Sequence, residues 1–445
     1  MSTRLRLDAI DLVRGVVMVL MVLDHTRDFV HRGGQFNNPL DPASTTVLLY
    51  ITRWVTHLCA PTFVLLAGLG VGLRRIRGAG SGDVAWFLFT RGAWLVLLEL
   101  TLFRLIIWWN VDVTSFAAFL QVIWATGVAM VALSALVRLP LAAIGTIAAV
   151  ILLGHNLLDG IRVPFWFPGT PAPLPTPGGI LWMLVHQGGF FPLGGADGPV
   201  VFDRYPVLPW FGLMAAGYVM AEIYRWEPAR RRRFLLGAAA AMLAAFVVLR
   251  GFNVYGDPRH WAPQPTLIQS AMDVMNVEKY PPSLAYVLVT LLPALTTLAA
   301  LDGRAIAGGL WGAVVTFGRV PFFFYLLQWV TAHVSGMVVT ALLGKSLSPF
   351  FLNVLDYATM QPPPDFGGPL WAVYVCWLVS LLAMYPLCRW FAGVKARRRG
   401  VDGSSRDRLC KLRAAQSLGR PKIRHGCRFM ILPSSFASSG NSGSR

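Results

Sequence analysis

Residues 10–31 read IDLVRGVVMVLMVLDHTRDFVH. From Gly15 to Leu23 nothing is polar, and the ionisable groups gather at the two ends. A helix needs ~20 apolar residues to cross the hydrocarbon of a bilayer. This stretch has that length, yet it carries charges that lipid does not tolerate cheaply. At ~100° per residue, Arg14, Met18, Met21, His25 and Asp28 share one stripe. Asp11 lies one turn before Arg14 and can pair with it. Eleven residues separate Arg14 from His25, roughly 16 Å along a helix axis. A spanning helix of this kind turns its polar stripe to a cavity or to partners.

The rest of the chain supports the membrane reading. Of 445 residues, 55% are hydrophobic and 13% charged, with a mean hydropathy of +0.57. A water-facing protein carries about a quarter charged residues. Tryptophans such as Trp108, Trp109, Trp210, Trp226, Trp371 and Trp390 stand at the ends of apolar runs, where headgroups favour amphipathic rings. The net charge of +18 reflects basic turns between apolar runs and a basic tail, and nucleic acid is not an expected partner. No cleavable leader is expected, because the first run carries Asp11 and Arg14 and no small-residue cleavage site follows it. The cysteines Cys59, Cys376, Cys388, Cys410 and Cys427 form no CxxC and suggest neither a disulfide framework nor a metal site.

Ten segments are apolar enough to span, near 10–30, 46–73, 85–109, 116–137, 139–157, 206–224, 234–250, 282–301, 320–343 and 369–391. With the N-terminus inside, the inner connections hold Arg4, Arg6, Arg74, Arg75, Arg77, Arg138, Arg225, Arg230 to Arg233, Arg304, Lys395 and Arg397 to Arg399. The far longer outer loops hold only Arg32, Arg162, Arg204, Arg259, Lys279 and Lys345. That bias predicts an all-α polytopic bundle with both ends inside, in a bacterial case at the inner membrane. The long connections, 158–205 and 251–281, then lie outside, where such loops cover a site or vestibule. The first contains FPGTPAPLPTPGG, read as irregular. Gly318 to Pro321 (GRVP) breaks the segment 309–343. Residues 1–400 form the membrane domain. Residues 401–445, rich in Ser, Arg and Gly, read as a disordered tail.

Polar groups inside the spans mark where chemistry belongs. Asp28, at i+3 from His25, can orient its imidazole. Arg53 and His57 share a face of the second span, and Asp24 or Asp28 has the depth to pair with Arg53. Glu99, Arg104, Gln121, Gln328 and His333 add polar groups at middle to outer depth. A layer this populated lines a hydrated cavity more naturally than it forms isolated ion pairs. No HExxH, phosphate-binding glycine loop or paired i,i+4 histidines occur, so no metal is expected. Gly68, Gly70 and Gly72 lie in an apolar helix, where small residues permit close helix packing.

The blocks LDAIDLVRGVVMVLMVLDHTRDF, RWVTHLCAPTFVLLAG, LQVIWATG, YPVLPWFGLMAAGY, EKYPPSLAYVLVTLLPAL and GRVPFFFYLLQWVTAH occur in that order between about residues 5 and 399. Together they resemble bacterial members of the heparan-alpha-glucosaminide N-acetyltransferase catalytic-domain family, within the wider transmembrane acyltransferases. The resemblance implies about ten helices and an acyl (acetyl) group taken from cytoplasmic acyl-CoA. It implies an amino-sugar or hydroxyl acceptor on the far side. It also implies a histidine at the outer end of the early helices as base or acyl carrier, for which His25 and His57 are the candidates. The lysosomal member's His-Ala-x-Trp-Asn motif is missing here, where RGGQFNN follows His31. Gln328 stands where relatives often carry histidine, so a proton transfer there would move to His333 or another group. Relatives tend to end soon after KARRR, whereas VDGSSRDR follows here, which suggests a frameshifted or foreign end.

An acyltransferase needs a base for the acceptor's proton and donors for the tetrahedral oxyanion. His25, with Asp24 or Asp28, and His57 fit the first role; Arg53 and Gln328 fit the second. Arg14, Arg74 and Arg75, with Asp11 beside Arg14, are the candidates for holding the CoA phosphates. A transporter of a small polar or glycan-related solute is the alternative, since a broken helix and a mid-membrane Glu99 suit it too. No inverted repeat is visible to support it.

Overall fold

The computed structural model describes residues 3–34, 38–111, 114–304, 306, 308–352, 355–356 and 366–417. The chain divides into two compact units, Met1–Ala392 and Gly393–Arg445, and the bundle is the first. Helix α1 (Thr3–Val30) opens it. Helix α2 (Val47–Trp54) passes through one 3-10 turn into α3 (Cys59–Ile76), and α4 (Ser81–Leu98) passes through a π turn, Glu99–Phe103, into α5 (Arg104–Trp108). Strand β1 (Phe116–Leu120) leads into α6 (Val122–Leu136). Next come α7 (Leu141–Gly154) with a 3-10 turn His155–Leu158, and α8 (Pro177–Trp182) with a π turn Met183–Gln187. Strands β2 (Gly189–Pro192) and β3 (Val200–Asp203) precede α9 (Val207–Met220), α10 (Pro228–Phe252) and α11 (Leu267–Met275). The chain finishes with α12 (Leu284–Ala300), α13 (Gly309–Arg319), α14 (Pro321–Leu342) and α15 (Leu370–Ser417).

Among the described residues, seven helices are long and apolar enough to cross a membrane, namely Val47–Ile76, Ser81–Trp108, Leu141–Leu158, Val207–Arg225, Pro228–Phe252, Pro321–Leu342 and Leu370–Arg397. Helices α6 and α12 are shorter and apolar, and α1 has 28 residues with charged ends. The expected ten spans thus each find a helix. Side chains such as Trp86, Leu97, Val150, Val247, Leu378 and Leu382 are exposed on the outer walls. An apolar exterior of that extent is what lipid solvates.

Two local readings are revised. The expected span 116–137 starts as β1, which pairs parallel with β3, while β2 pairs antiparallel with β3. Loop 158–205 therefore folds back as a small sheet on an otherwise helical molecule. Within FPGTPAPLPTPGG, Pro177 to Gly179 form the first turn of α8, because Thr176 caps it by accepting from Gly179 N at 3.1 Å and Pro177 takes a first-turn position. The last helix runs past residue 401, where the tail was expected to begin, and residues 418–445 lie outside the described residues.

The GRVP break is where it was expected: α13 stops at Arg319 and α14 starts at Pro321. Glycines set several helix crossings, among them the following two. A Cβ at Gly318 or Gly15 would strike the backbone carbonyl of Asp11 or Val314, so α1 and α13 meet backbone to backbone. A Cβ at Gly68 or Gly217 would likewise strike Met214 or Leu65, which brings α3 and α9 together. Gly72 faces Tyr218 in the same crossing, whereas Gly70 faces open space.

Candidate active site: a cavity along the first helix

A single cavity of about 980 Å³ follows α1 from Arg14, through Met21, Asp24 and His25, to Asp28. Fourteen residues of helix make that path about 21 Å long. Helix α1 places these groups on the cavity because they share the stripe set by its 3.6-residue repeat. Arg53, Thr56 and His57 enter from the α2–α3 connection, Arg91 and Trp94 from α4, and Gln121 from the β1–α6 junction. Arg204 and Tyr205 follow β3, Glu278 to Tyr280 come from the loop before α12, and Tyr325 and Trp329 from α14.

Charge is organised around Asp24. Its Oδ1 accepts from Arg27 Nη2 at 3.2 Å and its Oδ2 from Arg53 Nη1 at 3.1 Å. Arg27 Nη2 also donates to Asp28 Oδ1 at 2.6 Å, and Arg53 Nη1 to Thr56 Oγ1 at 2.8 Å. Two guanidinium and two carboxylate groups thus tie α1 to α2, and mutual pairing is what permits charges at that depth. Asp28 spends itself on Arg27 instead of orienting His25. The His25 ring stacks on Trp329, with centroids 3.7 Å apart and planes 19° apart. Its Nδ1 is buried without a hydrogen-bond partner, and Gln328 stands beside the ring. His57 is buried; its Nδ1 lies 3.4 Å from Arg53 O and its own carbonyl accepts from Tyr286 Oη at 2.8 Å.

The end away from the arginine-rich turns has a cationic rim. Tyr280 lies under Arg204 and Lys279, whose charges stand 4.5 and 5.1 Å from its ring centroid. Burial would raise its phenol's pKa, but Lys279, Arg204 and Arg53, with a hydrogen bond to Tyr205, outweigh it and bring it down to about 7. Glu278 Oε1 accepts the backbone N–H groups of Lys279 and Tyr280 at 3.1 and 2.9 Å. Burial pushes the Glu278 and Asp257 carboxyls up. Asp257 holds this loop in place by accepting from Glu278 N at 3.0 Å and from Ser283 Oγ at 2.8 Å.

At the other end, Arg14 Nη1 donates to Asp11 Oδ1 at 2.9 Å and to Gly318 O at 3.3 Å. Arg14 and Arg91 line the cavity. Asp11 does not, and serves Arg14 from behind. Arg74 and Arg75 do not line the cavity: Arg74 stacks over Phe87, which does, and Arg75 pairs with Glu222. Glu99, Arg104, Gln328 and His333 are buried but do not line the cavity either. Glu99 Oε1 accepts from Gln121 N at 2.9 Å and so caps α6. Arg104 Nη1 donates to Ala117 O at 3.1 Å and braces β1. His333 stacks on Trp109 and has its Nδ1 3.1 Å from Ile107 O.

The cavity thus gathers Arg14, Asp24, His25, Asp28, Arg53, His57 and Gln121 from the residues the sequence pointed to. Sequence reasoning missed Arg27, Arg91, Arg204, Lys279 and Tyr280. Arg27 was legible as the residue between two carboxylates in DHTRD, and Lys279 and Tyr280 sit in the quoted EKYPPS block. Arg91 carried no such signal. Among the described residues, the one group spaced to hold a metal ion, His155, Asp159 and His186, lies outside this lining. The sequence pattern of a family described as heparan-alpha-glucosaminide N-acetyltransferase, catalytic, matches residues 6–253. No curated protein matches the chain.

Proposed function

This chain belongs to the heparan-alpha-glucosaminide N-acetyltransferase catalytic family, and we propose that it carries an acetyl group from acetyl-CoA on its arginine-rich side to an amino-sugar or hydroxyl acceptor on the other. The observation that carries this reading is the continuity of the cavity from Arg14 to His25 and on to Lys279. A donor and an acceptor entering from opposite faces of a bilayer need one shared chamber, and a cavity closed at Arg14 would not provide it.

In this mechanism Arg14 and Arg91 hold CoA phosphates, with Asp11 orienting Arg14. His25, packed on Trp329, takes a proton from the acceptor amine as its nitrogen attacks the thioester carbonyl. The C–N bond forms, the carbonyl π electrons move onto oxygen, and Arg53 and Gln121 donate to that oxyanion. Collapse breaks the C–S bond, and the CoA thiolate takes the proton back from the His25 imidazolium. Asp24 keeps Arg53 in place. Lys279 and Arg204 suit an acceptor that carries negative charge, and His57 lies one turn from Arg53 as the second candidate base.

The test is to supply radiolabelled acetyl-CoA and glucosamine-type acceptors to the purified protein. Acceptor-dependent CoA release with label on the sugar is the expected result. No CoA turnover with any acceptor, together with solute flux in proteoliposomes, would replace this reading with transport.

A further inference from the structure

His155, Asp159 and His186 come together outside the cavity. His155 ends α7, Asp159 closes the 3-10 turn that follows, and His186 lies in the π turn after α8. One ligand atom from each lies within 4.8 Å of the others. Both histidines are 2% exposed, and neither nitrogen of His155 nor Nδ1 of His186 has a hydrogen-bond partner. His186 Nε2 faces Asp159 Oδ1 at 3.2 Å. A neutral imidazole carries one donor and one acceptor nitrogen, and protein interiors rarely leave both unmet. Two such rings facing one carboxylate are a donor set for a cation.

We propose that these three residues bind a divalent transition-metal ion, with Zn²⁺ the best match. Two imidazole nitrogens and one carboxylate oxygen suit a borderline cation, and a water completes four-coordination. Asp159 is the partly exposed member of the three and leaves room for that water. Bonds of ~2.0–2.2 Å imply ligand atoms somewhat over ~3 Å apart, so the three groups draw together by about an ångström on binding. The surroundings already orient the carboxylate: Asn156 Nδ2 donates to Asp159 Oδ2 at 2.9 Å and leaves Oδ1 for the ion. Asn156 is itself held through Oδ1, which accepts from Leu284 N at 2.9 Å. The ion would pin loop 158–205 to the end of α7. That loop continues from His186 through Gly188 into β2 and β3, and so to Arg204 at the cavity rim. The site is a structural clamp, independent of which reaction the cavity performs.

The experiment uses the full chain in detergent, purified without a polyhistidine tag and stripped with chelator. Zn²⁺ is titrated against a chromophoric competitor, and Co²⁺ is followed by its visible absorption. One equivalent per chain, with a four-coordinate Co²⁺ spectrum, is expected. Zn²⁺ should also raise the unfolding temperature by several degrees. His186→Gln and Asp159→Asn should each weaken binding by more than ~10-fold, and Asn156→Ala by about 10-fold. Absence of stoichiometric Zn²⁺ and Co²⁺ binding by the wild-type chain would overturn the proposal. Wild-type affinity in both His186→Gln and Asp159→Asn would overturn it too.

Discussion

Asp24 has two guanidinium partners, so its loss is felt twice. In Asp24→Asn, Arg53 keeps only Thr56 as a polar side-chain partner and Arg27 keeps only Asp28 among carboxylates. Breaking a buried charge set by removing one member costs about 3 kcal/mol or more, and Asp28 holds the loss to the low end. Denaturant unfolding of purified wild type and variant measures it, and equal midpoints would contradict the network. His25 is the opposite case, since its ring makes a stack and no ion pair. His25→Gln should lower kcat by ~10²–10⁴ while the affinity for CoA, set near Arg14, stays the same. A variant with normal kcat would move the base to His57. Tyr280 gives a pH signature. Its pKa falls from 10.0 unfolded to about 7 folded, so the stabilisation from its phenolate is complete above pH 10 and lost as pH falls toward 7. Unfolding temperature should therefore gain less between pH 7 and 10 in Tyr280→Phe than in wild type, and tyrosinate absorbance should rise near pH 7. Parallel profiles would refute the shift. Of these residues, His25 and Asp24 were legible from their place on one helix. The cationic surrounding of Tyr280 was not, because Lys279, Arg204 and Arg53 come from three separate segments.

Helices here meet through glycine. Gly68 and Gly217 let α3 and α9 approach until backbone faces backbone, whereas Gly70, two residues from Gly68, faces open space. Gly68→Ala forces the crossing apart and should cost ~1–3 kcal/mol, as overpacking does. Gly70→Ala should cost nothing. Equal behaviour of the two variants in thermal unfolding would count against the α3–α9 crossing. The spacing GLGVG signalled close packing without saying which glycines provide it, because that depends on the rotation of α3 about its own axis. The same rotation decides Glu99. Read as a polar group at mid-membrane, it suggests a lining residue; the π turn carries it to the start of α6, where it accepts a backbone N–H. Arg104 and His333 likewise turn to backbone carbonyls.

For the whole molecule the testable quantity is orientation. The arginine bias predicts that a cysteine placed at residue 78, in the short turn after Arg77, reacts with an impermeant maleimide only after the membrane is opened. A cysteine at residue 172, in the long proline-rich loop, should react in intact cells. The reverse pattern would invert the donor and acceptor faces. The sequence by itself determined the bilayer as solvent, the order of the apolar helices, their expected orientation and the helix break before Pro321. Those features rest on length, hydropathy, charge counts and proline's missing donor, all of which are local. Only the tertiary structure decided which polar groups share a chamber. It brought Arg204 and Lys279 to the chamber of Arg53, added Arg91 to the lining, withdrew Glu99, Arg104 and His333 from it, and set His186 against His155. The physical reason is that a span's hydropathy does not encode its rotation about its axis. Nor does a loop's composition show where it folds back, and those two facts choose the neighbours of every buried charge.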